Sequence, residues 1–396
     1  MRLTIYFGLI MAMYSLGFVI MSAFSSFYLL DIGLKSGQIG ILIAIGSFLA
    51  VCFEPIVGGL IDRHPKVSTR KSLFMLSVLI FFLGIALILI PSGQLTAKTV
   101  VYGVGILALM LAQPFYNALG IDTLRSGRVF RFEVGRAMGS LGYAAGSSGF
   151  GFVSTIFGPK CVPAFFCGAF LVLALMLVFY PIDKPLQRKE GKEKHSLGNP
   201  YLLLKKYKRF AIMLIGLIGI YFSHTCINTF ALQIVTPKGG TSQTMGIAAS
   251  IAAVVELTTT LLFPFYRKYF RLSFLVKISG VFFILKIFLS YAVATVGGFY
   301  AVQLIQIYAW GLLSIGIVYY VDGIVAEEDK AQGQAYAGMA MTIGNLIGSL
   351  FGGALIDDFG VNTMLLVGTA AAIVGTIIVA IAGPKTEPVR MKASRE

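Results

Sequence analysis

The residues of this chain whose types could do chemistry are a few ionisable side chains inside long apolar runs. Glu256 lies in AAVVELTTTLL, Lys286 in FFILKIFLS, Glu54 in FEPIVGG, and Arg136 near the start of a further run. A charge at membrane depth costs ~2.5–3.5 kcal/mol or more, so it normally faces a partner or a cavity. A carboxylate accepts two hydroxyl groups or takes up a proton, and a guanidinium donates to a diol or a carboxylate. These residue types indicate binding of a polar solute.

Each of these residues also has a structural interpretation. Glu256 could hydrogen-bond a neighbouring helix, and Arg136 could extend to the membrane surface. A buried lysine such as Lys286 needs a carboxylate partner to stay charged, and Glu256 on the preceding helix is one candidate. Glu54 is either a proton site or part of a structural latch. We favour functional roles for Glu256, Lys286 and Arg136.

Neutral side chains in the same runs could complete a site for a polyol. The amides and the hydroxyl concerned are Asn117, Asn228, Thr259, Gln306 and Asn345. Aromatic rings such as Tyr143, Tyr308 and Trp310 could stack on a sugar. His224 has no metal-ligating partner at a useful spacing, so we expect it to be a polar core residue, with a proton relay as the alternative.

The composition requires an apolar environment for these residues. Of 396 residues, 57% are hydrophobic and 12% are charged, against ~25% charged in a soluble domain. The net charge of +15 lies in short clusters between apolar runs, which is typical of loops at a membrane surface and argues against nucleic acid. The four cysteines lack metal-type spacing, and no nucleotide loop or nucleophile–histidine arrangement is present. We therefore expect no metal, no cofactor and no enzymatic activity.

Twelve apolar runs are long enough to cross a bilayer as helices. We number them as spans one to twelve; their limits are 4–29, 38–61, 72–91, 98–122, 136–158, 161–181, 209–234, 244–265, 273–293, 298–322, 334–356 and 362–383. The loops opposite the N-terminus carry only the cations Lys35, Lys98, Lys160 and Lys238. Most other lysines and arginines share the side of the termini, which predicts cytoplasmic termini and insertion in the cell membrane.

The longest polar stretch divides the spans into two sets of six. The predicted organisation is a bundle over 1–181, a cytoplasmic loop over 182–208, a second bundle over 209–383 and a cytoplasmic tail over 384–396. With an offset of 202 residues, span five aligns with span eleven without gaps. Gly142, Gly146, Ser147, Gly151, Phe157 and Gly158 then match Gly344, Gly348, Ser349, Gly353, Phe359 and Gly360. Such parallel repeats are typical of secondary transporters, and the small residues favour close helix packing.

The loop after span two resembles a motif of the major facilitator superfamily. It reads GGLIDRHPKVSTRK, in which Gly59, Asp62, Arg63, Arg70 and Lys71 fit the family pattern. The resemblance implies an all-α membrane fold of twelve helices in two pseudo-symmetric halves. It also implies that these five residues form a gate on the cytoplasmic side. A basic loop that only marks topology is the simpler alternative.

Within that superfamily the chain is most similar to the lactose permease group of oligosaccharide:proton symporters. The stretch FEVGRAMGSLGYA over 132–144 carries the likeness. It implies that Arg136 binds sugar hydroxyls and that Tyr143 stacks on the ring. Glu256 matches a sugar-binding glutamate of the group, and Lys286 matches an arginine near its proton-coupling acid. The group's own proton site does not match, because Gln306 and Ala309 occupy the positions of its histidine and glutamate.

The sequence therefore predicts proton-driven uptake of a sugar or short oligosaccharide by alternating access. The predicted solute ligands are Arg136, Glu256, Tyr143, Asn117, Asn228, Thr259 and Gln306, with Glu256, Lys286 and Glu54 as candidates for proton coupling. Efflux of drugs or amphipathic metabolites is the alternative within transport, and a non-transporting membrane sensor is the alternative outside it. We expect a monomer whose partners are a small solute, protons and the lipid bilayer.

Overall fold

The computed structural model describes residues 2–63, 68–181 and 200–384, with the side chains of 54–63 among those outside the description. Each of the twelve predicted runs is helical there. The helices are Arg2–Phe18, Ser36–Arg63, Thr69–Leu89, Leu95–Arg125, Phe132–Phe157, Cys161–Val178, Lys208–Thr229, Ser242–Tyr269, Leu272–Ala292, Val296–Gln303 continued by Trp310–Ile324, Lys330–Phe359 and Val361–Ala382. Short helices add Ser25–Asp31, Pro200–Lys206 and Ala231–Val235. The predicted all-α membrane fold is confirmed.

Within the described residues, 11 helices are long and apolar enough to cross a membrane. The remaining run is span five, a helix of 26 residues over Phe132–Phe157. Its glycines and serines make it less hydropathic than its neighbours, although it is as long. Those small residues let the helix pack closely against other helices, which offsets its lower affinity for lipid.

The helix contacts repeat between the two sets of six spans. Span one packs on span five, and span seven packs on span eleven. Span three packs on spans four and six, and span nine packs on spans ten and twelve. The duplication inferred from the aligned glycines is therefore present in the packing as well.

The aligned glycines mark the closest approaches. A Cβ on Gly142 would lie 2.5 Å from Cα of Ala12 in span one, and a Cβ on Gly146 would lie 2.8 Å from Leu16. In the second set, a Cβ on Gly344 or Gly348 would lie 2.9 Å from a backbone carbonyl oxygen of span seven. Any larger residue at these positions would separate the helices.

Both repeated helices also end in the same way. Gly158 after span five has a φ of +70°, and Gly360 after span eleven has a φ of +84°. Side chains with a Cβ rarely adopt this left-handed region, so glycine is required at both ends. The Phe-Gly pair aligned in the sequence thus acts as a helix stop twice.

The chain divides into two compact units. One comprises Met1–Lys192 with Gly240–Ala253, and the other comprises Glu193–Gly239 with Val254–Glu396. The first part of span eight accordingly packs within the first unit, where the Ser154 hydroxyl donates to Ser242 Oγ at 2.8 Å. A Cβ on Gly246 would meet the carbonyl oxygen of Ser147. The domain limits derived from the sequence stay a prediction.

Candidate functional site

Span ten is interrupted beside Gln306 and Thr259, two polar residues of the second unit. The helix Val296–Gln303 becomes a 3-10 turn over Leu304–Ile307, and α-helical geometry resumes at Trp310. The Ile307 carbonyl oxygen accepts a hydrogen bond from the buried Thr259 hydroxyl at 2.7 Å. Irregular backbone at membrane depth is tolerated where protein groups satisfy it or where it lines a cavity. The sequence predicted an unbroken span here, and the structure differs.

Trp310 is the centre of a polar and aromatic cluster. Its indole ring stacks on the His224 imidazole, with centroids 4.2 Å apart and planes 2° from parallel. The indole also interacts with the Glu256 carboxylate. Tyr221 meets the indole edge-on, with the ring centroids 6.1 Å apart. The tryptophan therefore joins spans seven, eight and ten around one carboxylate.

Lys286 enters this region from span nine. Its side chain is 1% exposed, and its ammonium donates to Oε1 of Gln306 at 2.5 Å. Gln306 is itself buried. The Gln306 amide lies in the interrupted part of span ten, so the buried ammonium of Lys286 is bonded to that part of the helix.

Glu256 and Lys286 interact through their charges. Each side chain acts electrostatically on the other. Within the described residues, the ion pairs with contacts under 4 Å are elsewhere, at Lys206–Asp329 and Lys330–Glu327. The sequence predicted a carboxylate partner for Lys286. The structure adds an amide as its direct partner and places the carboxylate beyond contact distance.

His224 and Asn228 form one side of the cluster. Asn228 Nδ2 lies 2.8 Å from Nε2 of His224, one helical turn away on span seven. Asn228 is exposed within the structure, whereas His224 is only partly so. Asn345 accepts a hydrogen bond from the Thr225 hydroxyl at 2.7 Å, so it binds span eleven to span seven. Of these residues, Asn228 has the most accessible amide.

The structure brings together five of the predicted site residues in the second unit. They are Glu256, Lys286, Gln306, Thr259 and Asn228, the last through His224 and Trp310. Thr259 is engaged by the broken backbone of span ten, which favours a supporting role over solute binding.

The other predicted solute ligands lie in the first unit. Arg136 is exposed on span five, and Tyr143 and Asn117 are partly buried. Tyr14 of span one and Tyr116 of span four form a buried pair in the same unit, with ring centroids 4.2 Å apart. Solute binding by Arg136, Tyr143 and Asn117 stays a prediction.

The predicted gate residues are only partly described. The side chains of Glu54, Gly59, Asp62 and Arg63 lie outside the described residues. Lys71 belongs to the first turn of span three, where its backbone N–H donates to Ser68 Oγ at 3.2 Å. The gate as a whole stays a prediction.

Arg70 binds the end of span six. Its Nη1 donates to the carbonyl oxygens of Val178 and Tyr180 at 3.1 and 2.8 Å. The adjacent Thr69 hydroxyl donates to Oδ2 of Asp122 at 2.7 Å. The start of span three is thus bonded to the ends of spans four and six.

An equivalent contact exists in the second unit. Lys277, near the start of span nine, donates from Nζ to the carbonyl oxygen of Ala380 at 2.8 Å. Ala380 corresponds to Val178 at the offset of 202 residues. A cation on span three or span nine therefore caps the last turn of span six or span twelve, where the helix dipole favours positive charge.

Sequence reasoning undervalued Trp310 and His224. Trp310 was one of several candidate stacking rings, and His224 was expected to be an isolated core residue. Two signals were present: Trp310 follows Gln306 by four residues, and His224 precedes Asn228 by four. In a continuous helix both spacings place a ring and an amide on one face. Span ten is broken between Gln306 and Trp310, so in the structure this holds only for His224 and Asn228.

Comparison with known proteins supports the fold. The model of the MFS_1 like family matches residues 5–367. No curated protein matches the chain in sequence.

Several solved transporters have a similar structure. A variant of the nucleoside transporter NupG is 16% identical, with a TM-score of 0.83 over 96% of this chain and 100% of that one. A bacterial homologue of the iron transporter ferroportin in its inward-facing state is 15% identical, with a TM-score of 0.73 over 96% and 98% of the two chains. A D-xylose-proton symporter is 15% identical, with a TM-score of 0.69 over 97% and 98%. At these identities the likeness concerns the fold.

Proposed function

Because the chain belongs to the MFS_1 like family and is a multi-pass membrane transporter, not an enzyme, we propose that it is a proton-coupled symporter for a small polyol, a sugar or a short oligosaccharide. It lies in the cell membrane with both termini in the cytoplasm, and the two sets of six spans alternate access to the solute. Its small-molecule substrate binds near the middle of the membrane, as is usual for such repeats.

The observation that carries this proposal is the environment of Glu256. The carboxylate interacts with the Trp310 indole and with the charge of Lys286, and it lies next to an interrupted helix. An acid at membrane depth is functional by default because its insertion is costly. A broken span beside it is typical of a transporter binding site.

Two chemical states of Glu256 give the coupling. As a carboxylate it is balanced by Lys286, and it accepts hydrogen bonds from Trp310 and from solute hydroxyls. As a neutral acid it no longer balances the lysine, which Gln306 still holds. Proton binding therefore changes the electrostatics of the cluster without requiring a second acid.

The remaining ligands are assigned on the same proposal. Asn228 offers an accessible amide, and Arg136 and Tyr143 are retained as solute ligands on the resemblance to the lactose permease group. Trp310 is the aromatic surface of the second unit. A Trp310→Phe variant keeps a ring against His224 but loses the N–H bond, so we expect it to bind solute better than Trp310→Ala does.

The test is uptake into proteoliposomes under an imposed pH gradient. The native chain, Glu256→Gln and the control Glu327→Gln are compared with labelled sugars, oligosaccharides and nucleosides. Glu327 is a surface acid paired with Lys330, so its change removes a carboxylate outside the site. We expect gradient-driven accumulation by the native chain and the control. Glu256→Gln should lose accumulation but keep solute exchange.

Other outcomes contradict parts of the proposal. Loss of exchange together with accumulation would show that solute binding itself requires the Glu256 carboxylate, and would move the coupling proton elsewhere. Accumulation of nucleosides but not sugars would correct the substrate. Extrusion of an amphipathic dye, without uptake of any polar solute, would replace symport by efflux.

A further inference from the structure

A basic cleft lies where span seven begins and span twelve ends. Its cations come from two parts of the second unit. Lys205, Lys206, Lys208 and Arg209 surround the start of span seven, and Lys277 comes from span nine. We call these five cations and the cavities between them the basic cleft. None of them takes part in the Glu256 cluster.

The basic cleft has room for a ligand. It consists of two cavities of about 390 and 550 Å³, and both are lined by Arg209 and Pro384. Phe210 and Ile324 give the first cavity an apolar wall. Among the described residues, neither lining contains a carboxylate. The combination suits a ligand with an anionic part and an apolar part.

One acidic group beside this region, Asp329, is already engaged. Asp329 Oδ2 binds Lys206 Nζ at 2.7 Å and the Tyr207 hydroxyl at 2.8 Å. Those bonds lower the pKa of Asp329, chiefly through the hydrogen bond from Lys206, and the same bond raises the pKa of Lys206. Asp329 therefore balances one of the five cations.

Arg209 and Lys277 are held beside the last turn of span twelve. Lys277 donates to the Ala380 carbonyl oxygen at 2.8 Å, and Arg209 Nη2 lies 3.5 Å from the Ile381 carbonyl oxygen. A guanidinium has five donors in a planar fork, so this contact leaves Arg209 able to bind a phosphate through two N–H groups. The positions of both cations are set before any ligand arrives.

An apolar stripe leads from the basic cleft along span twelve. Ile381 lines the second cavity and is 72% exposed, and Ile377 and Val374 are 51% and 56% exposed. The spacing of three and four residues places these side chains on one helix face. Span twelve is a candidate membrane span, so this face can contact acyl chains along its length.

We propose that the basic cleft binds the phosphate of an anionic phospholipid, whose acyl chains lie along the stripe of Val374, Ile377 and Ile381. Basic pockets at the ends of transmembrane helices recognise anionic headgroups in this way. The cleft lies at the end of a span, where lipid phosphates are found, and the stripe distinguishes a lipid from a free phosphate ion.

The test measures lipid binding to the full chain in detergent by native mass spectrometry. Phosphatidylglycerol and phosphatidylcholine with identical acyl chains are compared on the native chain and on Arg209→Gln/Lys277→Gln. We expect preferential retention of phosphatidylglycerol. The double change should weaken it by ~30-fold, or ~2 kcal/mol at about 1 kcal/mol for each cation.

Two further variants make the outcome decisive. Arg267→Gln/Lys268→Gln removes the same residue types at the end of span eight, outside the cleft lining, and should leave phosphatidylglycerol retention unchanged. Lys205→Gln/Lys208→Gln weakens the cleft while leaving the bonds to span twelve intact. This variant tests lipid binding by the cleft if Arg209→Gln/Lys277→Gln does not fold.

Three results would overturn the proposal. One is equal retention of both lipids by the native chain, and another is equal phosphatidylglycerol retention by the native chain and both cleft variants. The third is displacement of phosphatidylglycerol by inorganic phosphate at equal concentration, which would make the cleft a site for small anions.

Discussion

The bond between Lys286 and Gln306 allows a quantitative test of the site. Both side chains are buried, and the ammonium nitrogen lies 2.5 Å from the amide oxygen. We expect Gln306→Met to cost ~1.5–3 kcal/mol of unfolding free energy, because it removes a hydrogen bond to a charged group. Lys286→Met should cost ~1–3 kcal/mol, because it leaves a buried amide oxygen without a donor.

The double variant should cost much less than the sum of the two. Replacing both partners by apolar groups of similar shape is nearly neutral, so the coupling free energy should approach the sum of the two single costs, ~2.5–6 kcal/mol. The double variant should be folded but inactive in gradient-driven uptake, because the charge that balances Glu256 is gone. A stable protein without coupled transport would separate the roles of the pair in folding and in function.

The assay is chemical denaturation of the full chain in detergent, followed by labelling of buried Cys226 as it becomes exposed. Ser290→Ala is the control: its hydroxyl donates to the Lys286 carbonyl oxygen and not to Gln306. Its cost should add to that of Gln306→Met. If the costs of Lys286→Met and Gln306→Met also add, the buried bond does not stabilise the protein and our interpretation of the break in span ten fails.

Two further predictions concern helix packing and the membrane surface. Gly375→Val should destabilise the second unit by ~1–3 kcal/mol, because a Cβ at Gly375 would meet a backbone oxygen of span seven. Gly338→Val is the control and should cost much less, because a Cβ there has no atom within 4 Å. Equal denaturation curves for the two variants would contradict this reasoning. Asp329→Asn should lower the thermal midpoint at neutral pH by removing the bond to Lys206. Because the pKa of Asp329 is lowered in the folded state, its contribution to stability is present above pH 3.8. That contribution is lost as the pH falls through the folded pKa. Because the pKa of Lys206 is raised, its contribution is lost only at alkaline pH, as the pH rises through the folded value. The two midpoints should therefore converge in acid, and a constant difference down to the lowest pH would refute the assignment.

Much of the fold follows from local sequence properties. Apolar runs of bilayer length form helices wherever they occur, because lipid leaves backbone groups no other partner. The repeated glycines were visible in the sequence, and the structure shows both pairs at close helix contacts. The costly charges Glu256 and Lys286 were found by the same local reasoning, since few ionisable groups lie within the apolar runs.

The partners of those charges were decided by the tertiary structure. Hydropathy does not show that span ten breaks at Leu304–Ile307, so the sequence did not reveal that Gln306 binds Lys286. Nor did it show that Trp310 interacts with Glu256 while stacking on His224. These contacts join residues on four different spans, and they depend on helix rotation and on which helices are neighbours. The cost of burying a charged residue therefore follows from its own segment of sequence, whereas the group that offsets this cost is determined by the packing of the helices.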